Sequence, residues 1–161
     1  MPGTDGPVPL FTGRATVLSE YGFFLIAAEE RELPAPDDDA FCSPLKVCHP
    51  MRDAVYFLSY PSMQEVCCTV ESWSAAPPMD DGEEPYDEQV EVDVLLTGEQ
   101  CSVTGFEDYL TSIPVAVPGR QRMRVRVSGR AASKRLYQSD PRTNTDGLER
   151  WRIQFWPSPA V

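Results

Sequence analysis

The C-terminal third of the chain alternates apolar and polar residues with period two. Within 120–130 (RQRMRVRVSGR), Met123, Val125 and Val127 fall on one side and Arg122, Arg124 and Arg126 on the other. That spacing marks a strand with one buried face. In 149–156, Trp151, Ile153 and Phe155 oppose Arg150, Arg152 and Gln154 in the same way. Residues 131–147 between them are rich in Ser, Asp, Asn, Pro and Gly and predict a loop. The pattern therefore predicts a hairpin with a long connection.

Upstream, 14–19 (RATVLS) predicts a first strand, and 21–28 (YGFFLIAA) is apolar on both faces, as a central strand covered on each side must be. Residues 54–60 predict the next strand. In 64–73, Val66, Cys68 and Val70 oppose Glu65, Cys67, Thr69 and Glu71; in 88–97, Val90, Val92, Val94 and Leu96 oppose Gln89, Glu91 and Asp93. Gly98-Glu99 is placed to close a hairpin onto 100–106, and 108–117 reads as one more short strand or a helical turn. Residues 41–52 keep no clean period. The expectation is an all-β fold, an antiparallel β-sandwich of about eight strands with no helix longer than about two turns. Residues 1–11, opening with two Gly and three Pro in the first ten, are expected to be a flexible arm, and 12–161 a single domain.

Charge changes the picture more than composition does. The 161 residues carry a net charge of −11, unevenly placed. Residues 1–118 hold 22 acids and 4 bases, a balance of −18, whereas 119–161 hold 3 acids and 10 bases, a balance of +7. Most of the surface should repel phosphates, which argues against general nucleic-acid binding and suits a partner with a basic surface. If strands 88–97 and 120–130 pair, Glu91 and Asp93 face the arginines across the ladder, each contact contributing about 0.2–1 kcal/mol. The alternative use of the arginine stripe is an anion-binding surface, a weak signal without interleaved aromatics. The N-terminus has no basic region followed by an apolar segment, no run reaches membrane-span length, and five cysteines follow no scaffold spacing. These features lead to the expectation of a soluble cytoplasmic protein with reduced thiols and no membrane association.

Catalytic chemistry finds little to stand on. His49 is the single histidine, and Cys48 beside it points to the opposite face of any strand. Cys42, Cys48, His49, Cys67 and Cys68 are soft enough for zinc, but their spacing does not form zinc knuckles. The carboxylate runs lie in Pro-rich loops rather than among apolar residues, and DDGEEPYDE resembles a Ca²⁺ loop only loosely. No phosphate loop or dinucleotide fingerprint is present. The expectation is a non-catalytic protein with no metal and no cofactor.

Four segments resemble the ComJ-like family: RATVLSEYGFFLIAAEE, VESWSAAPPMDDGEEPYDE, PGRQRMRVRVSGR and the closing ERWRIQFWP, together spanning roughly 12–157. The resemblance implies a small acidic bacterial β-sandwich, of the kind that includes inhibitors of a competence DNA-entry nuclease. It carries over no inhibitory motif residue by residue, and 41–52 departs from the alternating pattern. Joined to the charge, it points to an acidic binding protein that masks a basic partner, such as a nuclease. The expected contact residues are Asp37, Asp38, Asp39, Asp80, Asp81, Glu83, Glu84, Asp87 and Glu88, because recognition concentrates in loops. The alternative is a structural or adaptor domain that uses exposed aromatics near Tyr86, Tyr109 and Trp156.

Overall fold

The computed structural model describes residues 6–32, 46–59, 61, 63–79, 85–105 and 107–159. The alternating segments become long strands: β1 (Pro9–Glu20), β5 (Met63–Trp73), β6 (Glu88–Leu96), β9 (Gly119–Ser128) and β10 (Arg150–Pro157). These five pair edge to edge in the order β1-β5-β10-β9-β6. The shorter strands β2 (Phe23–Ala28), β3 (Cys48–Met51), β4 (Ala54–Leu58), β7 (Gln100–Thr104) and β8 (Asp108–Pro114) form the other half, with β2 joined to both β4 and β7. The halves are hinged at the β1–β2 turn. β6 lies against β3 and β4, and β1 lies against β8, so the sheet curls into a nearly closed barrel.

The core fills the inside of that barrel. Inward positions of the long strands (Val66, Val70, Met123, Val125, Ile153 and Phe155 among them) meet Phe24, Ile26 and Phe57 from the short ones. Trp151, 2% exposed, bridges the halves: its ring meets Phe24 at 5.3 Å and Phe57 at 5.9 Å, both edge-on. Such pairs contribute about 0.5–1.5 kcal/mol each beyond area burial. The doubly apolar reading of β2 holds, since Phe24 and Ile26 enter the main core while Leu25 and Ala27 join a second cluster with Ala54, Tyr56 and Leu58.

Several sequence expectations are corrected. The fold is all-β in the main, but barrel-like and mixed rather than an antiparallel sandwich, because β10 runs parallel to β5, Arg150 opposite Cys67 through Phe155 opposite Ser72. Period-two alternation assigns faces, not partners or directions. Ten strands stand among the described residues where about eight were expected. Gly98-Glu99 closes no β6–β7 hairpin; β7 pairs with β2 and β8 instead. β1 begins at Pro9, inside the stretch expected to be an arm, and β3 forms at Cys48–Met51 in the stretch without a period. The β9–β10 connection holds α1 (Arg130–Ser139), ten residues and so nearly three turns, where a loop was expected. The antiparallel pairing of β9 with β10 was anticipated and is present.

The β1–β2 turn has positive φ at both central residues, Tyr21 (54°) and Gly22 (83°), as a type I′ hairpin turn requires. Glycine does this freely, whereas a Tyr there is held against the steric preference of an L-residue. Tyr21 is 85% exposed, so little packing offsets the strain. Tyr21→Asn is therefore expected to raise stability by about 1 kcal/mol, read as a rise in the midpoint of denaturant unfolding.

Candidate functional site

The outward positions of β5, β10, β9 and β6 form a ladder of polar side chains set by strand register. One row reads Glu71, Gln154, Arg124, Glu91 across the four strands. The Gln154 amide donates to Glu71 at 2.7 Å, Arg124 donates to Gln154 at 3.3 Å, and Arg124 pairs with Glu91 at 3.1 Å. Arg152 grips Glu71 at 2.8 Å, and Arg126 donates to Gln154 at 2.9 Å. Further out, Arg122 pairs with Glu91 and Asp93, both at 3.2 Å. The hydrogen bond from Arg122 holds the Asp93 carboxyl below its usual value, and Asp93 in turn raises Arg122.

The expected strand-to-strand charge pairing is thus present, but the stripe is not a free surface. Arg124 and Arg126 are buried because the chain entering and leaving the β5–β6 connection folds over them. Arg124 donates to the Pro78 carbonyl, its guanidinium sits 5.3 Å from the Trp156 ring centre, and Arg126 sits 5.2 Å from that of Tyr86. Trp156 is therefore buried as well, which removes it from the exposed aromatics expected of an adaptor. Tyr109 is half-buried.

A second polar node joins α1 to the strands. Glu149 is fully buried and receives four donors: the hydroxyls of Ser59 at 3.0 Å and Ser133 at 2.7 Å, the Gln64 amide, and the Trp151 indole N–H at 2.9 Å. One carboxylate thereby ties α1, the β4–β5 link and the start of β10 together. Arg130, also buried, binds the carbonyls of Leu58 and Lys46 and pairs with Glu88 at 3.0 Å.

Of the expected contact residues, Asp37, Asp38, Asp39, Asp80, Asp81, Glu83 and Glu84 lie outside the described residues. Asp87 and Glu88 both hold the start of α1, Asp87 by accepting from the Gly129 N–H at 2.8 Å and Glu88 through Arg130. An acidic concentration that the sequence reading passed over is built where the β2 end, the β6–β7 link and Pro118 converge on a groove of about 580 Å³. Glu29, Glu30 and Glu99 line it together with Arg31, and all of these but Glu29 are exposed. The Glu29 carboxyl is held below the usual value first by the Ser102 hydroxyl and then by the Ser112 N–H, each at 2.6 Å. Only the β2–β7 pairing brings the acids at 29–30 to Glu99.

Cys48 and His49 do not form a catalytic pair. Cys48 is buried, and burial pushes its thiol up to about 12, as it does those of Cys68 and Cys101. The His49 ring turns the other way, with Nδ1 2.8 Å from the Lys46 ammonium. Among the described residues, no group of three or more His, Cys, Asp or Glu side chains is arranged to hold a metal ion. Among those residues no helix is long and apolar enough to cross a membrane.

The curled, mixed sheet has a ComJ-like fold. The chain superposes on ComJ from Bacillus subtilis, described as an inhibitor of the DNA-degrading activity of NucA, with a TM-score of 0.59 and 13% identity, covering 95% of this chain and 99% of ComJ. It also superposes on a protein described as crocagin biosynthetic gene J, with a TM-score of 0.55 and 15% identity, covering 93% of this chain and 100% of that one. At these identities the likeness establishes the fold. No family model matches the sequence, and no curated protein matches it.

Proposed function

We propose that this chain is a non-catalytic binding protein whose acidic exterior masks a basic surface on a protein partner, in the manner of a nuclease inhibitor. The observation that carries this reading is the fate of the charges. Of the ten bases in residues 119–161, Arg124, Arg126, Arg130 and Arg152 are buried, and Arg152, Arg124 and Arg130 are paired with Glu71, Glu91 and Glu88. Each such pair is neutral and leaves the chain its net charge of −11, so the field around it is negative. Such a field steers a basic partner and competes with phosphates for its surface. The fold shared with ComJ supports the inhibitor form of the reading.

The proposed contact surface comprises the carboxylates at 37–39 and 80–88, joined by Glu30 and Glu99. The test is capture of partners from native extract by the immobilised chain. A basic protein released by moderate salt, and displaced from the chain by duplex DNA, is the expected result. A partner retained at high salt and indifferent to DNA would favour the adaptor reading, for which Tyr21, at 85% exposure, is the most exposed aromatic among the described residues.

A further inference from the structure

The tip of the β1–β2 hairpin combines strain with exposure. Tyr21 holds a positive φ of 54° and is 85% exposed, so neither the turn nor the core accounts for an aromatic residue there. Backbone strain of this kind gathers at contact and switch sites. Beside it, strand register builds a small apolar patch on the outer face of the sheet. Met63 stands opposite Glu20, the residue before Tyr21, and Leu18 stands opposite Glu65. Met63 and Glu65 are outward positions, since Gln64 and Val66 between and beyond them turn inward. Met63 is 61% exposed and Leu18 is half-buried. Acids border this patch. Glu20 and Glu65 belong to it by register, and Asp146 is brought in by accepting from the Glu65 N–H at 2.8 Å. The ion pairs among the described residues involve none of these three carboxylates.

We propose that Tyr21 and Met63 are the apolar anchor of a protein-docking surface, which fits a partner whose shallow apolar pocket is bordered by lysine or arginine. The proposal rests on the reading that the partner is basic, and adds where this chain grips it. Interfaces centre on aromatic and methionine side chains and carry their charges at the rim. An unbranched thioether adapts to the pocket it meets, while the tyrosine ring is placed by the turn. Charge selects the occupant. A second copy docking through the same patch would set Glu20, Glu65 and Asp146 against their own counterparts. An anionic lipid surface would repel the same three carboxylates. A basic rim is attracted by them.

Tyr21→Asn relieves the strain and removes the ring, so it separates docking from folding. The full chain is prepared with the photoreactive residue p-benzoylphenylalanine in place of Tyr21, or of Leu10 near the far end of β1. Each form is irradiated in native extract, and the products are identified by mass spectrometry. Position 21 is expected to give one protein product that position 10 does not, in a yield lowered by moderate salt. Unlabelled wild-type chain should suppress that product, and chain carrying Tyr21→Asn should be needed at about tenfold higher concentration or more, although its unfolding midpoint is raised. A salt-sensitive product that Tyr21→Asn suppresses as well as wild type does would overturn this docking surface and leave the masking reading standing. A product indifferent to salt would overturn the basic rim and the masking reading together. A product made of two copies of this chain, equal products from both positions, or no product would also overturn the proposal.

Discussion

Replacing Glu149 by alanine is expected to destabilise the chain by about 3–5 kcal/mol, the usual cost of removing one member of a buried polar network. The substitution strands the hydroxyls of Ser59 and Ser133, the Gln64 amide and the Trp151 indole N–H in a site with no water access. For a chain of this length that corresponds to a fall of roughly 6–20 °C in melting temperature. Glu149→Gln keeps the shape and one acceptor oxygen but sets an amide N–H₂ against a donor, so an intermediate loss of about 1–3 kcal/mol is expected. Thermal melts of the two variants check the order. A Glu149→Ala protein as stable as wild type would mean that the node is not what joins α1 to the barrel.

Gly129→Ala is expected to cost about 3 kcal/mol or more, for two reasons that add. Gly129 has a φ of 81°, the left-handed region that glycine alone enters without penalty. A Cβ there would also stand 1.9 Å from the Leu148 carbonyl oxygen, and backbone cannot move aside as a flexible side chain can. Relief requires separating the start of α1 from the residue before Glu149, so the damage converges on the same node. Denaturant unfolding should show a lower midpoint with the slope preserved. An unchanged midpoint would contradict the packing described for this corner.

Where one face of an element is apolar and the other polar, the sequence was readable. The inward sets of β5, β6, β9 and β10 follow the alternation residue by residue, and the pairing of Glu91 and Asp93 with the β9 arginines is present in the register. The helix α1 was not readable because it has no apolar stripe. Its buried residues are Arg130 and Ser133, and it docks by donating to a buried carboxylate and two carbonyls rather than by burying hydrocarbon. RAASKRLYQS contains good helix formers, and that propensity was the available signal. The parallel β5–β10 pairing left no trace either, since a strand buried on one face alternates alike beside either kind of neighbour. Of the candidate site, the acidic loops could be seen as charge runs. The burial of Arg124 and Arg126 depends on the path of the chain around the β5–β6 connection, and the meeting of Glu30 with Glu99 on which strands adjoin, neither of which alternation encodes.

The most direct test of the binding account is the rate at which the chain associates with its captured partner, measured by stopped flow across ionic strength. The wild type is compared with a variant in which Asp80, Asp81, Glu83 and Glu84 are replaced by their neutral counterparts. The account predicts a steep fall of the wild-type rate with salt and a low-salt rate about tenfold slower in the variant, with a flattened salt dependence. Its melting temperature should be nearly unchanged, because carboxylates in a stretch the sequence assigns to a loop contribute little to folding. A wild-type rate indifferent to salt, or a variant that associates as fast as wild type at low salt, would contradict it.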